Sequence, residues 1–469
     1  MPDLSPVSGR ESPGRVRGHA PPPATATAVR AGKARRPTAY LDHLASTPCD
    51  PEAAALMHRL AVEEFANPSS SHAAGQRAAR WVERAREQVA VAIDALPEEI
   101  VFTSGATESN NLAILGVAMA AAGGGGSTPG ALTSVRKRVL TLGIEHPSVL
   151  APVAELGRRG YDVEHVSVHR DGRVDLDALE DALARDDVLL LSIQAANNEI
   201  GTIQPLAEAS RMAAERGVFV HSDAAQILGK APFSVEALNL DLVSLSAHKA
   251  YGPKGAGALW IRGGPLRAPI RPLTFGGGHE HGLRPGTLNA PVIAAFGFAA
   301  RLAIKRLKTD AARIAMLRDR LEASLVDRLG ARVRINGAID RRLPHATSLT
   351  FFDPDGRPLD ADALVASLPE FDLSTASACH AGTPESSHVL RAIGMSSAEA
   401  YATLRVGLGR GTERAEVDRA AERIVDVPLW CRSPGRYTDL RGGGDTANRR
   451  RADHQHTGTE TQALDGKHQ

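Results

Sequence analysis

The chain has 469 residues, 43% hydrophobic and 23% charged, which allows two or three domains, while no apolar run approaches the roughly 20 residues that span a bilayer; an integral membrane protein is excluded. Lys plus Arg number 55 against 54 Asp plus Glu, a net charge of +1, so there is no electrostatic footprint for nucleic acid. The three cysteines, Cys49, Cys379 and Cys431, are too scattered for a disulfide framework or a paired-ligand zinc site; a reducing, cytoplasmic setting with one special thiol and no metal is expected.

Residues 1–36 are rich in Pro, Ala, Gly and Arg without apolar periodicity, which predicts a disordered tail, although the Arg-rich, acid-poor composition also fits an organelle leader. Glu99–Thr103 reads as a strand and Thr107–Ala121 as a helix. Further strands follow near Arg138–Leu142, Val163–Val168, Val188–Gln194, Val218–Ser222, Leu242–Ser246 and Ala256–Ile261, separated by helix-length stretches. Seven strands alternating with helices predict an α/β domain with a mostly parallel sheet flanked by helices. The Gly123–Gly126 run is a surface insertion, since no Lys-Ser or Lys-Thr follows to complete a phosphate loop. Beyond Pro291 come helices over 292–307 and 311–329, a strand at Ala346–Phe352, a helix at Ala361–Leu368 and a last helix near Glu413–Ile424. The expected organisation is a large domain over 57–306, a smaller α+β domain built from 37–56 and 307–431, and a polar tail over 432–469.

Three positions make a chemical set. The run Val101–Glu108 passes from a strand through Ser104-Gly105-Ala106-Thr107 into a helix, where free backbone N–H groups and a hydroxyl suit a phosphate monoester; taken alone, the segment is better read as Ser104 or Thr107 capping the helix. One apolar strand ends on Asp223, a carboxylate that calls for a cationic partner such as a protonated pyridine nitrogen. Another runs through Ser246-Ala247-His248 to Lys249, whose amine suits a Schiff base. Carboxyl ends of strands are where α/β sheets bind ligands, and Asp, Lys and a phosphate cup are what pyridoxal phosphate requires.

The strings Asn67–His72, Phe102–Asn111, Asn197–Gly201 and Ser246–Gly255 carry a resemblance that runs from about Tyr40 to Ile424. The chain resembles the cysteine desulfurases of the class V aminotransferase-like family, which have pyridoxal phosphate fold type I. The resemblance implies that His146 stacks on the pyridine ring and assists proton transfer. It further implies that Asn198 and Gln226 hydrogen-bond the ring hydroxyl and the lysine linkage, and that Ala106, Thr107, Ser246 and His248 hold the phosphate. Thr287 then reaches the phosphate of a neighbouring subunit, which makes a homodimer. Arg405 takes the substrate carboxylate through a planar two-bond fork.

Lysine and aspartate are shared by many pyridoxal enzymes, so the reaction is decided by Ser374-Thr375-Ala376-Ser377-Ala378-Cys379-His380-Ala381-Gly382. Cys379 resembles the family's sulfur-accepting cysteine, set among small residues of a loop. The implied reaction removes sulfur from L-cysteine, leaves alanine, and carries a persulfide on Cys379 to a protein acceptor such as an iron–sulfur scaffold. Departures from the family pattern fall at His43, Leu44, Pro285, Thr375 and Ala376, and bear on substrate preference and acceptor. A lyase or aminotransferase of the same fold, selenocysteine lyase included, is the alternative within enzymes; a binding subunit without chemistry would not need Lys249, Asp223, His146 and Arg405 together.

Overall fold

The structure, a computed structural model, describes residues 39–122, 136–267, 269–375 and 386–427. The tails, the Gly123–Gly126 run, Cys379 and Cys431 lie outside the described residues.

The seven expected strands form one sheet. They are β1 (Ile100–Thr103), β2 (Arg138–Leu142), β3 (Asp162–Val166), β4 (Val188–Ser192), β5 (Phe219–Asp223), β6 (Leu242–Ser246) and β7 (Gly257–Ile261), in the order β1-β7-β6-β5-β4-β2-β3. All run parallel except β7, which lies antiparallel between β1 and β6. The short connection from β6 to β7 forces that reversal, since a parallel return needs a crossover of a dozen or more residues. Strands β2, β4, β6 and β7 are buried throughout, as expected of a sheet with helices on both faces. Those helices include α1 (Pro51–Glu63), α2 (Ala73–Ala92), α3 (Ala106–Ala122), α4 (Pro147–Arg158), α5 (Leu176–Leu183) and α6 (Leu206–Glu215).

The two helices expected over 292–307 and 311–329 are one, α7 (Ala290–Leu329), 40 residues long, or about 60 Å at 1.5 Å per residue. No Gly or Pro falls between the two expected helices; Pro291 sits in the first turn and Gly297 within the helix. Thr309, which could have capped a second helix, instead bonds back to Arg306 O at 2.9 Å, and Asp310 pairs with Arg410 at 2.8 Å. Ile293, Phe296 and Ala300 pack into the core of the large sheet, whereas Ile314, Leu317, Leu321 and Leu325 pack into a second core. Both sets follow helical spacing, so a single helix serves two cores. Gly330 ends it with φ 57°, a left-handed conformation that glycine adopts without strain.

The second core lies against a four-stranded antiparallel sheet: β8 (Val333–Asn336), β9 (Ala346–Phe351), β10 (Ser374–Thr375) and β11 (Thr403–Gly407), in the order β10-β11-β9-β8. The first described strand, Ala39–Tyr40, pairs with Phe371–Asp372, and His43 N donates to Gly407 O at 3.0 Å. These contacts fix the segment 41–47 beside the small sheet.

Candidate active site

Because β1, β5 and β6 are parallel, their carboxyl ends share one edge of the sheet, and each delivers chemistry there. Strand β5 ends on Asp223. Strand β6 ends on Ser246 and passes into a single turn, Ala247–Lys249. Strand β1 ends at Thr103 and turns through Ser104-Gly105 into α3. An ideal Cβ on Gly257 of the intervening strand β7 would come within 2.5 Å of Gly105 Cα, so the turn lies directly on the sheet only because residue 257 carries no side chain.

A cavity of about 460 Å³ opens at this edge. It is lined by Ala106, Thr107, His146, Asn198, Asp223, Gln226, Ser246, His248 and Lys249, nine of the residues singled out in the sequence. Arg405 and Thr287 do not line it, and Cys379 lies outside the described residues. Thr287 is exposed. Arg405 sits in mid-strand on β11, opposite Ser374, and its charge acts on Lys249.

Lys249 Nζ donates to the carbonyls of Leu44 at 2.6 Å and Ala45 at 2.9 Å. Burial pushes its pKa down to about 8, the Arg405 charge adds to that, and Asp223 and Asp42 oppose it. Gln226 Nε2 donates to the same Leu44 carbonyl at 3.0 Å. Thr47 Oγ1 donates to His248 O at 2.8 Å and accepts from Tyr251 N at 2.8 Å, clasping the turn that presents the lysine. What the segment 44–47 supplies here is mostly backbone, which explains how leucine can occupy position 44.

Asp223 accepts from Asn110 Nδ2 at 2.8 Å and from Ala225 N at 3.0 Å. Asn110 also donates to Ser148 Oγ at 2.8 Å. Ser148 Oγ in turn lies 2.7 Å from His146 Nδ1, and His146 caps α4 by accepting from Ser148 N at 3.1 Å. His146 thus caps a helix and faces the cavity at once. Burial drives the His248 imidazole down to about pKa 4, with Lys249 and Lys254 adding to the effect, so the ring is neutral near pH 7.

The donor set fits a phosphorylated pyridine aldehyde. Ser246 Oγ is buried without a hydrogen-bond partner among the described residues, and an unsatisfied hydroxyl in a cavity wall calls for an acceptor from the ligand. Beside it, the first N–H groups of α3 have no intrahelical acceptors. Arg405 shows a similar vacancy: Nη2 donates to Asp42 Oδ1 at 3.0 Å, yet Nε is buried without a partner.

Sequence reading missed Asn110, Ser148 and Asp42. Asn110 follows Ala106 by four residues, one helical turn, and that spacing was the signal that it faces the same site as the phosphate cup. Asp42 had no local signal, because its partners Ser374 and Arg405 are more than 300 positions away.

The family model for class-V aminotransferases matches residues 39–420. A cysteine desulfurase of Frankia sp. is 43% identical over 413 residues, covering 86% of this chain and 94% of the relative. Cysteine desulfurase IscS of Anaeromyxobacter dehalogenans is 42% identical over 382 residues, covering 81% and 90%. A mitochondrial cysteine desulfurase of Eremothecium gossypii is 39% identical, covering 83% and 78%. Among solved structures, a NifS-like protein superposes with a TM-score of 0.74 at 35% identity, covering 83% of this chain and 99% of that one. SspA in complex with cysteine gives 0.68 at 33% identity, covering 79% and 99%. No helix among the described residues is long and apolar enough to cross a membrane.

Proposed function

From the class-V aminotransferase family, to which this chain belongs, we infer a cysteine desulfurase that takes the sulfur of L-cysteine, leaves L-alanine and holds the sulfur as a persulfide on Cys379. The cofactor is pyridoxal phosphate. When bound, it supplies an electron sink that makes the substrate Cα–H acidic and the Cβ–S bond labile.

Each residue has a task. Lys249 holds the cofactor through its amine, and its lowered pKa of about 8 leaves a useful neutral fraction near neutrality for moving the Cα proton. Asp223, oriented by Asn110, keeps the pyridine nitrogen protonated. His146 covers the ring face, and Asn198 and Gln226 orient the ring hydroxyl and the lysine linkage. The phosphate sits against Ala106, Thr107, Ser246 and His248, with Thr287 contributed across a homodimer. Arg405 grips the substrate carboxylate on the side that Asp42 leaves free, which fixes which bond of the amino acid faces the ring. The cavity lies mostly in the 57–306 domain, with Ala45 of the 37–56 segment in its wall, and the thiol belongs to the domain formed by 37–56 and 307–431.

Cys379 completes the reaction. Its thiolate attacks the substrate sulfur, a sulfur–sulfur bond forms, the Cβ–S bond breaks, and the carbon fragment takes up a proton to become alanine. Enzyme thiol plus cysteine gives enzyme persulfide plus alanine, a balance needing no outside oxidant or reductant. The persulfide passes to a protein acceptor, in keeping with a role in supplying sulfur for iron–sulfur clusters.

The observation that carries this reading is the meeting of Lys249 and Asp223 in one cavity, with Arg405 close enough to act on the lysine. Cys379→Ser tests it. The variant is expected to bind cofactor and cysteine normally and to lose persulfide formation by at least about a hundredfold, while mass spectrometry of the native enzyme finds the added sulfur on Cys379 rather than on Cys49 or Cys431. Alanine and sulfide at the native rate from the serine variant would overturn the persulfide route in favour of a lyase.

A further inference from the structure

A second cavity, of about 410 Å³, opens between α1, α2 and α7 and shares no lining residue with the one around Lys249. Trp81 and Phe298 form apolar walls. Three guanidiniums converge on them: Arg59 and Arg84 lie over the Trp81 ring at 5.8 and 5.5 Å, and Arg301 over the Phe298 ring at 4.8 Å. All three arginines are exposed, and none pairs with a carboxylate among the described residues; Glu52, on the same wall, pairs with none of them. Arg86, Arg342 and Arg138, by contrast, are held by Glu280, Glu322 and Asp187.

Three exposed guanidiniums on one cleft, none of them held by a carboxylate among the described residues, give it a positive character that an anionic ligand complements. Each guanidinium lies within cation–π range of a ring, and an arginine so placed still has N–H donors with which to fork onto a carboxylate. The cations stand on three different helices with apolar wall between them. An extended acidic chain can meet cations on all three helices and cover the rings as well. We propose that this cleft docks a carboxylate-rich segment of a protein partner, its acidic side chains on Arg59, Arg84 and Arg301 and its backbone across Trp81 and Phe298. Binding here is separate from turnover at Lys249, so the two can fail independently.

The test uses the full-length holoenzyme, a fluorescein-labelled hexaglutamate peptide and a hexaglutamine control, followed by anisotropy. Hexaglutamate is expected to bind, more weakly as salt rises, and to lose about tenfold or more in affinity in the Arg59→Gln, Arg84→Gln, Arg301→Gln triple variant, with cysteine turnover unchanged. Should the triple variant not fold, each single substitution is expected to weaken the peptide severalfold. Absence of hexaglutamate binding, equal binding of the two peptides, or undiminished affinity in the variants overturns the docking site. So does stronger competition by citrate or inorganic phosphate than by unlabelled peptide, which would make it a small-anion site. A variant that changes oligomeric mass would show instead that the cleft is a contact between copies of this chain.

Discussion

Around Asp223 the neighbours hold one another: Asn110 spans the aspartate and Ser148, and Ser148 holds His146. Around Arg405 the arrangement is half complete, with one side of the guanidinium on Asp42 and Nε buried and unsatisfied. The first region grows from the edge of a parallel sheet, the second from a short strand beside the root of the segment that carries Cys379. Under the proposed function, a site so divided would let the cofactor be held by one part while the other exchanges a substrate and a sulfur cargo.

The harshest way to break that comparison is to remove the amine. Lys249→Ala should abolish covalent capture of the cofactor and turnover, since Lys254, the other lysine lining the cavity, stands five residues further along the connection from β6 to β7; a cofactor that borohydride still fixes to the variant would show that Lys254 or another amine serves. On the other side, Arg405→Lys keeps the charge that depresses Lys249 but loses the planar fork. KM for cysteine should rise about 10- to 100-fold, with cofactor absorbance and kcat far less affected. A fall in kcat with KM unchanged would show that Arg405 serves the cofactor side instead.

The pH dependence of cofactor capture sharpens the first region. Lysine ordinarily has a pKa of 10.5, and here burial brings it to about 8, so the neutral, attacking amine is nearly fully formed at pH 9 and about a tenth formed at pH 7. Capture by the apoenzyme should therefore fall about tenfold between those values, whereas an unshifted lysine would give about a hundredfold fall. The lowered pKa also makes the apo protein gain stability as pH rises from about 8 towards 10.5, because over that window the unfolded chain binds the extra proton.

Most of this framework was legible in sequence for a physical reason. Asp223, Ser246 and Lys249 end or closely follow short, mostly apolar strands, and strands of this kind announce themselves. Lys249's polar partners were harder to see, because Leu44 and Ala45 act through carbonyls that any residue would supply. The expected break in α7 failed differently: Thr309-Asp310 read as a stop, but the polar side chains found partners on Arg306 and Arg410 without leaving the helix. The resemblance to desulfurases pointed to Arg405 for the substrate carboxylate, yet its restraint by Asp42 depends on the way Ala39–Tyr40 pairs with Phe371–Asp372, a contact between segments more than 300 positions apart that no local pattern encodes.

Asn110 gives the finest measure of how far the first region depends on mutual support. Its side chain is fully buried; Nδ2 serves both Asp223 and Ser148, while Oδ1 has no partner among the described residues. A core amide kept only for packing would have both ends satisfied, so its orientation is set by the carboxylate it serves. Asn110→Ala leaves Asp223 with the single donor from Ala225 N, freer to rotate away from the pyridine nitrogen. Loss of one hydrogen bond to a charged group costs about 1.5 kcal/mol, or about tenfold in cofactor affinity, and the Ser148–His146 pair loosens with it. Cofactor titration of the apo variant, read beside its Tm, separates the roles: weaker binding together with an altered absorbance maximum marks orientation of Asp223, whereas a lower Tm with unchanged affinity would reduce Asn110 to packing.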